Sequence, residues 1–185
     1  MYIAEKLRKE NVVEYLLYMW QVEDVVRAYG VDAERIGNEY VPKFGLEGER
    51  LEELRGWYER MAEMMREENV VEKGHLQINK NVVILLTDLH VGLLRSSKHP
   101  RYGAAYYRAL PLIVELRARN GKGADSEEDK GEIENCLEAL YGVMLLRMQG
   151  KPVSEDTERA VACIAEFVGM LGAYYEKEKR GELEL

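Results

Sequence analysis

Glu14, Gln21 and Asp24 stand in EYLLYMWQVED (residues 14–24), where seven of eleven positions are large and apolar. Asn81, Asp88 and His90 are embedded in the same way in NKNVVILLTDLHVGLL (residues 79–94). An ionised carboxylate left unpaired in apolar surroundings costs several kcal/mol, so each acid must find a partner, take up a proton or reach water. Arg27, Lys80, Arg95 and Arg108 are cations available to them. Two kinds of chemistry follow. The polar groups form a hydrogen-bonded network that holds helix register, or they line a pocket in which shifted pKa values do work. In the pocket reading Glu14, Gln21, Asp24, Asp88 and His90 form the wall, and Arg101 and Arg108 hold a small anionic ligand at the mouth. Glu23 is set aside here, because successive helical residues point about 100° apart and one can be exposed while the next is buried.

RSSKHPRYGAAYYR (residues 95–108) carries Arg95, Lys98, Arg101 and Arg108 with Tyr102, Tyr106 and Tyr107 among them and no acid. A basic loop entering a helix N-terminus suits a phosphate or carboxylate, and arginine with stacking tyrosines suits single-stranded nucleic acid. The bland reading is a charge match within the chain or between subunits, with the acidic DSEEDKGEIE (residues 125–134) folding over the patch. Other constellations fail on spacing. Glu72 and His75 have the i, i+3 separation of a di-iron bundle, but that chemistry needs a second such pair, and neither His90 nor His99 has a Glu three residues before it. No G-x-S-x-G elbow is present, and GKG at 121–123 lacks the rest of a phosphate loop. No metal and no cofactor is expected.

These residues must be positioned by helices. Apolar periodicity predicts a first helix over about 3–29 closed by Gly30, then a short one begun by Asp32 and stopped at Pro42. An amphipathic segment over about 46–71 carries Leu51, Leu54, Tyr58, Met61 and Met65 on one face. A helix over about 76–95 ends at SSKHP, and another starts at Pro100 and should kink or divide at Pro111. NGKGADSEED (residues 120–129) reads as a loop, with Ser126 capping the helix that carries Ile133, Leu137, Leu140, Met144 and Met148. Ser154 caps the last helix, with Val161, Ile164, Val168, Leu171 and Tyr175 on one stripe and Cys163, Phe167, Met170 and Tyr174 beside it. The expected fold is all-α: one domain over residues 1–185, a bundle of five to six mostly antiparallel helices, with 178–185 as a tail free to fray. The segments 3–29 and 76–95 are apolar nearly all round and are expected at its centre.

The chain has 185 residues and a formal charge of −8. That balance disfavours nonspecific nucleic-acid binding and adsorption to an anionic membrane. VVILLTDLHVGLL (82–94) is shorter than the roughly 20 residues of a bilayer span, and MYIAEKLRKEN is too charged for a signal peptide. Two cysteines, Cys136 and Cys163, lie on apolar stripes without paired spacing and read as reduced core thiols of a cytoplasmic protein.

IAEKLRKENVVEYLLYMWQVEDVVRA (residues 3–28), and within it LRKEN followed by EYLLYMWQVED, resembles the opening of an uncharacterised bacterial family known as a domain of unknown function. The resemblance implies a cytosolic helical protein of a bacterium and supplies no activity or catalytic residue. The expectation is therefore a non-enzymatic interaction or structural module acting as a homodimer. Its apolar surface (Trp20, Trp57 and the wide stripe of the last helix) exceeds what one thin bundle hides. The alternative is the anion-binding protein or enzyme with the pocket named above.

Overall fold

The computed structural model describes residues 2–120 and 131–185. Among them are eight α-helices and a 3-10 helix, and no strand. The helices are α1 (Tyr2–Glu10), α2 (Val12–Ala28), α3 (Ala33–Glu39), α4 (Glu49–Glu67), α5 (Gln77–Arg95), α6 (Pro100–Asn120), α7 (Glu132–Met148) and α8 (Glu155–Lys179), with the 3-10 helix at Val41–Phe44. The all-α class stands, and the count of five to six is corrected to eight. One extra helix arises at Asn11, whose side chain accepts from the Val13 N–H at 3.1 Å and so caps α2, dividing the segment expected as one helix. The loop at 120–129 and its Ser126 cap fall almost wholly outside the described residues; α7 begins after Gly131.

α6 runs unbroken through Pro111 rather than as two pieces. The proline removes the bond that would reach the Tyr107 carbonyl. Both residues face solvent, so water can take over at that carbonyl and the helix persists.

The chain falls into two compact units: Met1–Glu10 with Glu14–Val82, and Asn11–Val13 with Val83–Leu185. In the first, α2 buries Tyr15, Leu16, Met19, Trp20 and Val26, and α4 buries Tyr58, Met61, Ala62 and Met65. Asp32 caps α3, accepting from Arg35 N–H at 3.0 Å. α3 packs on α4, and beyond it Tyr40 meets Tyr58 and Phe44 edge-on. Each such side chain stabilises by roughly 1.5–3 kcal/mol on full burial.

In the second unit α8 packs on both α6 and α7, which also meet each other. Tyr102, Ile113, Ile133, Leu137, Ile164, Phe167 and Leu171 are wholly enclosed. Gly172 permits a close approach, since a Cβ there would stand 3.0 Å from Val13 Cγ2. The chain's last residues fold back on the loop before α6. Lys98 Nζ donates to the Leu185 carbonyl at 3.2 Å, His99 Nε2 lies 2.9 Å from the Glu184 carbonyl, and Leu185 packs over Gly92. No helix among the described residues is long and apolar enough to cross a membrane.

Candidate functional site

The enclosed acid of α2 is Glu23, which has no solvent exposure. One carboxylate oxygen accepts from the Leu76 backbone N–H at 3.0 Å and from Asn79 Nδ2 at 2.7 Å; the other lies 2.6 Å from His75 Nδ1. Tyr15 O–H donates to Asn79 Oδ1 at 3.4 Å. The His75 imidazole stacks on the Trp20 indole, centroids 4.3 Å apart and planes 15° from parallel. One turn further along α2, Arg27 donates to the carbonyls of Val70 and Gly74. Glu68 then accepts from the Gln77 N–H that opens α5. Glu23 and Arg27 together hold the segment between α4 and α5 through its own backbone. That is the physical use of acids in an apolar helix here: a carboxylate with three donors satisfies groups that burial would otherwise orphan.

The Glu23–His75 contact has the form of a base pair in which a carboxylate orients an imidazole through Nδ1. Acyl transfer by such a pair ordinarily uses a serine, threonine or cysteine nucleophile beside it. Residues 1–82 contain no serine, threonine or cysteine, so this unit supplies none. Two cavities found in it, one of about 180 Å³ bounded by Tyr15, Met19, Trp57 and Ile78 and one of about 300 Å³ bounded by Trp57, Arg60, Met64 and Glu67, do not border His75.

A second buried cluster surrounds His90 in the other unit. Its Nδ1 lies 2.6 Å from Tyr102 Oη, and its Nε2 lies 3.7 Å from Glu132. Tyr106 O–H donates to the same carboxylate at 3.2 Å. Phe167, Tyr102 and Tyr106 pack edge-on or tilted around the ring. Burial lowers the His90 pKa to about 4. The Glu132 carboxylate pulls the other way, but it is beyond hydrogen-bond distance and partly solvated, so desolvation wins. Burial raises the Tyr102 phenol far above its ordinary value, with smaller contributions from Cys136 and Glu132. Tyr106 rises to about 12 through burial and then the Glu132 charge, and Cys136 also reaches about 12 through the same two causes. A neutral imidazole and a protonated phenol assign the proton between them: Tyr102 O–H donates to Nδ1, and Nε2 carries the remaining hydrogen. With Tyr102, Cys136 and Phe167 fully enclosed, this cluster is walled by side chains.

The residues expected from sequence are placed differently. Glu14 and Asp24 are exposed and Gln21 is half-buried; Asp24 pairs with Arg27 at 2.9 Å. Asn81 and Asp88 are exposed, and Asn79 is the buried amide of α5. Arg101 is exposed, and Arg108 pairs with Glu166 at 2.8 Å. Glu14, Gln21 and Asp24 belong to the first unit, whereas Asp88, His90, Arg101 and Arg108 belong to the second. Within the second unit His90 is enclosed and the other three face water, so they do not share one wall. The enclosed acid is thus Glu23, not Glu14 or Asp24; the exposed side of α2 carries acids, and that of α5 mixes Asn81 and Asp88 with Ile84 and Leu85. Helical phase contained the signal. Glu23 lies about 180° round α2 from Glu14, while Gln21 lies within about 20° of it.

The basic–aromatic stretch is likewise divided. Tyr102 is in the core, Tyr106 leans on Glu132, and Lys98 and His99 meet the chain's last residues. Tyr107 alone of the three tyrosines is open, at 66 % exposure. It belongs to a row along the outer face of α6, Ala104, Tyr107, Pro111, Val114 and Ala118, all exposed.

A family model described as a domain of unknown function (DUF4924) matches residues 1–182. No curated protein and no solved structure matches the chain.

Proposed function

The chain belongs to the DUF4924 family, and from that premise we propose that it is a non-enzymatic helical module of the bacterial cytoplasm that acts by docking to another polypeptide. The observation that carries this reading is a contrast within the second unit. In the cluster around His90 the buried polar groups satisfy one another, whereas large apolar side chains stand exposed in a row on α6, with Val114 57 % and Tyr107 66 % exposed. Singly exposed apolar residues are ordinary, but an aligned row several turns long marks a contact surface. The anion-pocket alternative has weaker support. Lys98 and His99 are engaged with residues 184 and 185, Asp24 and Asp88 face water, and His90 is enclosed. Free thiols at Cys136 and Cys163 agree with a reducing compartment.

The test is a photo-crosslinking amino acid placed at Val114, with exposed Lys151 as the control position. Irradiation in cells should give polypeptide adducts at position 114 well above those at 151. Equal yields at both positions, or none at either, would remove the reading.

A further inference from the structure

The outer row of α6 has a spacing of its own. Pro100, Ala104, Tyr107, Pro111, Val114 and Ala118 alternate steps of four and three residues, the repeat of a coiled-coil seam, on the side of the helix opposite the buried Tyr102, Ala105, Ala109 and Ile113. α6 is therefore apolar on two faces, one spent inside its unit and one not.

The unspent face is complementary to itself. Arg108 and Glu115 border it on the same side, seven residues apart and both exposed. The row is bulky at Tyr107 and Val114 and small or flat at Ala104, Pro111 and Ala118. If a second α6 is laid antiparallel with the two-fold axis beside Leu112 and Ile113, Tyr107 meets Ala118 of the partner subunit and Val114 meets Pro111 of the partner subunit. Arg108 then faces Glu115 of the partner subunit. By symmetry each of these contacts occurs twice, as an isologous interface requires. A parallel pairing would set Tyr107 against Tyr107 and carry the partner's Arg108 and Glu115 to the far side of the seam, where they meet neither Arg108 nor Glu115.

We propose that the outer face of α6 is the interface of a two-fold symmetric dimer of this chain, with the two α6 helices antiparallel and Arg108 paired to Glu115 across the axis. The proposal rests on the docking reading above and names the partner as a second copy. The present Arg108–Glu166 pair is more than half exposed at both ends, and Glu115 also makes its present interaction from an exposed position, so exchanging these surface contacts for an Arg108–Glu115 pair costs little. One helix pair makes a small interface, well under the roughly 1,600 Å² of a standard one, so dissociation should lie on the order of micromolar.

Sedimentation velocity across about 1–500 micromolar on the full chain tests it. Wild type should pass from monomer to dimer. R108E or E115R alone sets like charges together twice per dimer and should weaken association about tenfold or more. An equimolar mixture of the two variants restores both ion pairs in the mixed dimer and should recover wild-type association, as should the R108E/E115R double variant. Circular dichroism of each variant checks that the fold is retained. A monomer at every concentration overturns the proposal, as does a dimer that R108E and E115R leave unchanged or that mixing fails to rescue. If the purified chain stays monomeric while Val114 crosslinks in cells to polypeptides of other masses, the dimer falls and the docking reading stands. If no adduct forms at all, both fall.

Discussion

Glu23→Ala removes the acceptor that holds the α4–α5 segment. Two of the three donors it strands, the Leu76 N–H and the Asn79 amide, belong to residues with no solvent exposure, and each orphaned buried donor costs about 1–3 kcal/mol. His75 keeps partial access to water and is discounted. Releasing the carboxylate from its own desolvation offsets part of the loss, leaving a net destabilisation of about 2–4 kcal/mol. For a chain of this size that corresponds to a fall in melting temperature of roughly 10 °C. Glu23→Gln separates shape from charge. Its amide oxygen can still accept from Leu76 and Asn79, and its NH2 can face His75 once the imidazole proton moves to Nε2. The expected loss is about 1–2 kcal/mol, the charge-assisted part of the bonds. Urea unfolding followed by far-UV circular dichroism and by tryptophan emission reads both variants, and Trp20, stacked on His75, reports the site directly. The reasoning fails if Glu23→Ala stays within about 1 kcal/mol of wild type, or if Glu23→Gln is as damaging as Glu23→Ala.

Other consequences are sharp enough to measure. Glu14→Ala and Asp24→Ala, on the solvent side of the same helix, should each change stability by less than about 0.5–1 kcal/mol; a larger loss would mean that the two faces of α2 have been assigned wrongly. His90 is held neutral down to about pH 4 in the native state but gains its proton near pH 6.5 when unfolded, so its contribution is complete above pH 6.5 and lost as pH falls toward 4. That loss is roughly 3 kcal/mol, and His90→Gln, which keeps an acceptor for Tyr102, should flatten the stability–pH curve by that amount across the window; a parallel curve refutes it. Cys136, raised to about 12, should alkylate at pH 8 on the order of a thousandfold more slowly than a free thiol until the chain unfolds, which mass spectrometry of peptide adducts can follow. Gly169→Ala, with nothing near its Cβ, should stabilise α8 by up to about 1 kcal/mol. Gly172→Ala should lose that gain and about 1 kcal/mol more against Val13, so equal thermal shifts would contradict the packing described.

Helix existence was legible because it is a local property. Gly30, Asp32, Pro42, Pro100 and Ser154 bound elements close to where the spacing predicts, since a cap or a missing N–H acts within one turn. The Asn11 break was missed because apolar periodicity continues across it, and only the side-chain bond to Val13 shows a cap there. Pro111 misled in the opposite sense: its cost falls where water can repay it.

The candidate residues depended on something else. Sequence alone determined that α2 and α5 each carry polar groups among apolar ones, and the phase of those groups was already written in it. Glu23 and Asn79 share the inner faces with their neighbours, while Glu14 and Asp88 lie on the outer ones. Only the tertiary structure decided which phase is enclosed, because that depends on what packs against the helix. It also decided what becomes of the enclosed groups. Glu23 is satisfied by His75, Leu76 and Asn79, more than fifty residues away in the chain. A buried charge is governed by donors brought to it from a distance, and chain order carries no record of that distance until the helices are packed.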